Sequence, residues 1–282
     1  MKAIKLYLNY AGYCYANAKH VVNGDKDEMI KFHALFALLY HPKKGWILFD
    51  TGYSSRFYDS TKKYPNKIYA NATKVVVNDT DEIKNQIKSI GLETTDIQHI
   101  IISHFHADHI GGLIDFNNAT IYCAKKAYQK AKQISDLFAF SKGVLKDLIP
   151  VDIEERLVFI EDFSTSITDD IFSVSYDLFK DNSVIIYNLP GHAAGQIGIE
   201  FETQKEKYFL VADSCWDERA FKEGKLPNSI VRLFFDSWKD YKDSLEKLIS
   251  YHKKFPDVII VPTHCSKTTD NLVSNEINMD VL

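Results

Sequence analysis

The stretch SHFHADHIGG, Ser103–Gly112, sets His104, His106, Asp108 and His109 within six residues and closes on two glycines. It follows DIQHIIISH, a β-branched run that reads as a strand ending in the cluster. A regular strand or helix would throw such close neighbours to different sides. A tight loop instead turns His104 and His106 towards one point, and Asp108 and His109 towards a second point nearby. Gly111 and Gly112 let the backbone bend as it leaves. Imidazole nitrogens and a carboxylate oxygen suit zinc, and also iron or manganese. Packing alone does not account for the run, because each polar ring crowded into an apolar core would need a partner.

Three further apolar runs end in a candidate ligand: VIIYNLPGH at His192, YFLVAD at Asp213 and VIIVPTH at His264. Four strand ends delivering seven nitrogen and oxygen donors meet the requirement of a two-metal site, in which each ion takes three or four protein ligands and a carboxylate can bridge. Five of the ten histidines are thereby used. His99 sits within a strand and reads as a packed residue. His20, His41 and His252 lie in polar surroundings and carry no signal. His33, in a hairpin leading to DTG, reads as structural. Cys215 and Cys265 lie close to Asp213 and His264, but the donor set is complete without them, and both read as small buried residues.

The chain has 282 residues, 45% of them hydrophobic, enough for a large core. With 34 Lys and Arg against 38 Asp and Glu, the formal net charge is −4 and nothing in it invites nucleic acid. The cysteines Cys14, Cys123, Cys215 and Cys265 form no CxxC pair and no disulfide framework. No apolar run approaches the ~18–20 residues of a membrane span. At the N-terminus Lys5 and Asn9 interrupt the apolar region that a signal peptide keeps unbroken, so Ile4, Leu6 and Leu8 read as a first strand and the protein is expected in the cytoplasm.

Short strands alternate with helices along the rest of the chain. KFHALFALLY, HPKKG and WILFDTG read as a hairpin ending at Asp50, and DTDEIKNQIKSIG as an amphipathic helix stopped by Gly91. ATIYCA is a strand, and residues 124–149 are mostly helical in pattern. RLVFI, IFSVSY, SVIIYNLPGH, IGIEFE and YFLVAD are strands, and a helix runs from about Asp240 to Lys254. The pattern suggests a layered α/β domain with two sheets inside, formed by the whole chain, 1–282. Residues 53–74, rich in Tyr and Lys without a clean period, are a candidate substrate wall.

Taken together, FDTG at Asp50, SHFHADHIGG, PGH at His192, AD at Asp213 and TH at His264 resemble the metallo-β-lactamase superfamily, over nearly the whole chain. The resemblance implies a four-layer αββα sandwich, two mixed β-sheets flanked by helices, with the site at one edge of the inner sheets. It implies one metal held by His104, His106 and His192, a second by Asp108, His109 and His264, and Asp213 bridging both. Asp50 would orient ligands rather than bind metal. Two Zn(II) ions per chain are implied, with iron or manganese as other occupants. The flavodiiron members carry glutamate where this chain has His106, and true β-lactamases carry cysteine where it has Asp213. The layout is most similar to the acyl-homoserine lactonase branch, in the long segment after DTG, the LPGHAAGQIGI stretch and the length. Two positions depart from it. Trp216 stands where that branch often has a tyrosine near the substrate carbonyl, and an indole donates one hydrogen bond but cannot ionise or accept. Gln196 stands where many relatives have a histidine.

The implied activity is a binuclear metal-dependent hydrolase, opening a lactone or related ester through a metal-bridging hydroxide, with Asp108 relaying a proton to the leaving alkoxide. No GxSxG offers a serine nucleophile. Tyr64 in the 53–74 segment, Phe138, Trp216 and the run around Phe235 are candidates to line an apolar substrate pocket. The expected partner is a small-molecule substrate, with no nucleic acid and no membrane. Three rivals stand beside this reading. A phosphodiesterase or thioesterase would use the same two ions, a mononuclear-iron sulfur oxidoreductase would use one, and a sensor on the same fold would use none catalytically.

Overall fold

The cluster sits where it does because parallel strands carry their C-terminal ends to one edge. The computed structural model describes residues 4–163, 166–167 and 170–273. Its first sheet comprises β1 (Lys5–Asn17), β2 (Met29–His41), β3 (Gly45–Phe49), β4 (Val75–Val76), β5 (Ile97–Ile101), β6 (Thr120–Cys123) and β7 (Leu157–Phe159), in the order β4-β1-β2-β3-β5-β6-β7. The second comprises β8 (Ser166–Ile167), β9 (Ser175–Asp177), β10 (Val184–Asn188), β11 (Ile197–Glu202), β12 (Lys207–Ala212) and β13 (Ile259–Pro262), in the order β13-β12-β11-β10-β9-β8. Both are mixed: β3, β5, β6 and β7 run parallel, as do β12 and β13, while the remaining pairs are antiparallel.

The continuous apolar runs have a direct cause, since the inner strands are buried on both faces. Along β10, Val184 and Ile186 enter the core between the sheets, while Ile185 and Tyr187 face outward into a second core. Along β12, Leu210 and Ala212 likewise point inward and Phe209 and Val211 outward. The helix Trp238–Lys254 covers that outer face with Leu245, Leu248 and Tyr251. Each such side chain contributes about 1.5–3 kcal/mol by leaving water. Helices Ile83–Ser89 and Lys125–Gln133 bury Ile83, Ile87, Ala127 and Tyr128 in the larger cluster. Two mixed sheets flanked by helices are therefore present, as expected. Among the described residues, no helix is long and apolar enough to cross a membrane.

Several element boundaries differ from the sequence reading. The last long helix begins at Trp238, because the Ser237 hydroxyl caps it by accepting from the Asp240 N–H at 3.2 Å. IFSVSY yields only the short β9, which begins past Ser173, where the backbone takes a left-handed φ of 69°. Residues 124–149 split into the helix Lys125–Gln133 and several short turns. The 53–74 segment holds two short helices, Arg56–Ser60 and Lys67–Ala72.

Gly191, just before His192, lies hard against the backbone of Tyr241 at φ 133°, so a Cβ there would overlap the Tyr241 amide. Gly191→Ala is expected to cost about 3 kcal/mol or more. Gly24→Ala, with φ 96° but open space around it, should cost about 1 kcal/mol. Urea denaturation of the two variants measures the difference.

Candidate metal centre

The parallel pair β3 and β5 ends side by side, with the Asp50 N–H donating to the Ile101 carbonyl at 3.0 Å. Asp50, fully buried at φ 58°, turns its carboxylate onto the start of the histidine loop. Its Oδ1 accepts from the Ser103 N–H at 2.8 Å. Its Oδ2 accepts from the Ser103 hydroxyl at 2.7 Å and from His109 Nδ1 at 2.7 Å. With its own proton committed to Asp50, the Ser103 oxygen accepts from His104 Nδ1 at 3.0 Å. Both histidines are thus held in the tautomer that presents Nε2 as a lone pair.

The second parallel pair, β12 and β13, delivers Asp213 and His264 together, with the Thr263 N–H donating to the Ala212 carbonyl at 3.2 Å. His264 Nδ1 donates to the His33 carbonyl at 2.6 Å, turning Nε2 towards Asp213 Oδ2 at 3.1 Å and Asp108 Oδ2 at 3.4 Å. From the loop after β10, His192 Nε2 reaches the same Asp213 Oδ2 at 3.3 Å and His106 Nδ1 at 3.0 Å. Asp213 Oδ1 faces His109 Nε2 at 3.3 Å.

All seven candidate ligands converge. Three triples, His104–His106–His192, His104–His109–Asp213 and Asp108–His109–His264, each place their donor atoms within 4.8 Å of one another. The middle triple joins the outer two, with Asp213 touching both. The donor set fits a cation on a second observation. His104 Nε2, His109 Nε2 and Asp213 Oδ1 are buried without a hydrogen-bond partner, a state that costs about 1–3 kcal/mol per group when nothing else satisfies it.

Burial and charge act in opposite directions across the cluster. Burial pushes His106 and His192 down to about 3 and His104 well below the usual histidine range, so these rings stay neutral. For His109 burial is outweighed by Asp108, Asp50 and Asp213, and for His264 by Asp213 and Asp108, so both are raised. Burial of Asp213 is outweighed by His264, His192 and His109, which hold it well below the usual carboxylate range. Burial pushes Asp50 up, against the pull of His109 and Ser103.

Trp216 lies beside the cluster, and its indole N–H donates to Asp213 Oδ2 at 2.9 Å. Its ring packs edge-on against Phe32, His192 and Phe235. Tyr64 and Phe138 stand 70% and 60% exposed. In the same segment Tyr69 is the inward residue, packed on Phe57 and near enough to Asp108 to feel its charge. The Gln196 amide donates to the Ser214 hydroxyl at 2.8 Å, away from the donor set. Cys215 and Cys265 are buried, as expected. His41 is buried too, accepting the Lys43 and Lys44 N–H groups in the hairpin turn. Ser103, Phe32 (stacked on the His264 ring at 3.8 Å) and the His33 carbonyl were not picked out in the sequence. No spacing signals a backbone carbonyl or a ring that arrives from another strand.

Two openings flank the cluster. A cavity of about 40 Å³ beside His106 and His192 is walled by apolar side chains such as Phe105, Ile134, Val144 and Phe234, with Lys130, Lys142 and Asp236 among them. A cleft of about 700 Å³ beside His264 and Trp216 is lined by charged groups of both signs, among them Lys31, Asp217, Arg219 and Lys267.

A family model described as the metallo-β-lactamase superfamily matches residues 33–264. The chain is similar to an N-acyl homoserine lactonase, AttM, of Rhizobium radiobacter, 28% identical over 64% of this chain and 62% of that protein. It thus spans less than two thirds of that relative's length. An N-acyl homoserine lactonase of a Bacillus species is 24% identical over 84% of each chain. Among solved structures, an N-acyl homoserine lactone hydrolase with the product N-hexanoyl-L-homoserine at its catalytic metal centre superposes with a TM-score of 0.78, covering 98% of this chain and 99% of that one. At 22% identity this establishes a shared fold.

Asp50→Ala strands His109 without its buried partner. The metal-free variant is expected to lose about 3–5 kcal/mol in urea denaturation, and Asp50→Asn, which keeps an acceptor for the Ser103 N–H, should lose less.

Proposed function

The chain belongs to the metallo-β-lactamase superfamily, and on that premise we propose that it is a binuclear metal-dependent hydrolase that opens the ring of N-acyl homoserine lactones or closely related lactones. The observation that carries this reading is the position of Asp213. One carboxylate lies between two buried triads, with His192 and His264 both reaching its Oδ2, at 3.3 and 3.1 Å. In this reading His104, His106 and His192 would hold one zinc ion and Asp108, His109 and His264 a second, with Asp213 placed between the two sets. Such ions supply a water of lowered pKa and a Lewis acid for the carbonyl oxygen.

The chain's own residues do the rest. Asp50 and Ser103 keep His109 and His104 in the ligating tautomer. The Trp216 N–H, already committed to Asp213, holds that carboxylate in place instead of donating to the substrate as the branch's tyrosine would. Asp108, which keeps some exposure while His104 and His109 have none, is the acid closest to solvent. When the carbonyl carbon gains an oxygen from water and the ring C–O bond breaks, Asp108 takes the proton that the water loses and passes it to the departing alkoxide. The product is a hydroxy acid, which releases one proton at neutral pH.

The test is acid release from a series of N-acyl homoserine lactones, followed with a pH indicator on zinc-loaded protein. Rapid turnover, abolished by a chelator and restored by zinc, is the expected result. Asp108→Asn should lower kcat by about 10²–10⁴-fold. Silence on every lactone from protein carrying two ions would overturn the substrate and direct attention to phosphodiesters and thioesters.

A further inference from the structure

His106 and His192 come from different sheets, and each is backed by a surface segment. Behind His106 lies Gly143, at φ 70°, where an added Cβ would come within 3.0 Å of His106 Cγ and Cδ2. The Gly143 carbonyl also accepts from the Ala107 N–H at 3.0 Å, holding the backbone that follows His106. Behind His192 lies the 233–236 segment. The Asp236 N–H donates to the His192 carbonyl at 3.1 Å, and the Phe235 ring packs edge-on against the His192 ring at 4.9 Å.

These two segments are joined by one side chain. Lys142 Nζ donates to the Leu233 carbonyl at 3.1 Å and to the Phe235 carbonyl at 3.0 Å. A lysine in an ordinary surface role keeps its ammonium in water. Here it is spent on two main-chain oxygens from a segment some ninety residues away, and burial pushes the amine down from its usual range. We propose that Lys142 is a positioning residue for the His104–His106–His192 triad, tying the turn that backs His106 to the segment that backs His192. The inference rests on the reading that this triad holds an ion. It adds that the triad's geometry is steadied from the protein surface: the Ile197 N–H donates to the Ser103 carbonyl at 3.1 Å and ties the two sheets below the triad, and Lys142 ties the segments behind His106 and His192 on its outer side.

The test is chelator competition on zinc-loaded wild type, Lys142→Met, Lys142→Arg and Gly143→Ala, with bound zinc measured by elemental analysis and thermal unfolding recorded alongside. A His264→Ala background, which disables the other triad, assigns the two release steps. The expected result is that Lys142→Met weakens the His104–His106–His192 ion by about 10–100-fold and leaves the other ion at its wild-type affinity. Lys142→Arg, which can still reach both carbonyls, should restore binding. Gly143→Ala, which presses on His106 directly, should weaken the same step. Release curves for Lys142→Met that coincide with wild type would overturn the proposal, and so would equal weakening of both ions together with a lowered melting temperature. Wild-type protein that takes up no zinc would instead refute the metal-centre reading, and that is seen before any variant is compared.

Discussion

The buried contact of Asp50 with Ser103 and His109 is the constraint on which the rest of the centre depends. A carboxylate fully out of water needs donors, and it finds three in the loop that leaves β5. The same bonds join the ends of two parallel strands and choose which nitrogen His109 and His104 turn inward. Asp50 therefore acts on the chemistry without touching the point where the ligands converge. Its left-handed backbone is the local cost of that placement.

The two sheets contribute unequally to the cluster. The first supplies His104, His106, Asp108 and His109 on the turn and short helix Ala107–Ile110 that follow β5, with His104 and His109 already oriented by Ser103 and Asp50. The second supplies His192, Asp213 and His264 one at a time, and each is steadied from outside its own strand. His264 is held by the His33 carbonyl and the Phe32 ring from β2, Asp213 by the Trp216 indole, and His192 by the 233–236 segment. Burial holds the three imidazoles on one side neutral, whereas His109 and His264 on the other side stand among carboxylates that raise them, so the proposed sites differ electrostatically although they share Asp213. The flanking openings differ in the same sense, apolar beside His106 and His192 and charged beside His264.

Much of this was legible in the sequence because its causes are local. Strands buried on both faces read as apolar runs, and the seven candidate donors follow the ends of such runs, where the structure brings them together. The helix that covers β10 and β12 was legible from its apolar period. What failed to read was structure fixed by contacts between distant segments. Tyr64 and Phe138 looked like pocket residues because aromatic side chains often are, yet both face solvent. Tyr69, from the same segment as Tyr64, is half-buried on the short helix Lys67–Ala72, packed against the larger core and the Phe57 ring.

The sequence by itself determined the layered α/β class, the order of the main strands and helices and which candidate donor side chains follow the strand ends, since these depend on residue type and on periods of a few positions. Only the tertiary structure decided which donors share a point, which nitrogen each histidine presents and what holds it. Those outcomes rest on parallel strands ending together and on contacts from Asp50, His33, Trp216 and Lys142. Apart from the Trp216 bond to nearby Asp213, each of those contacts joins segments far apart along the chain.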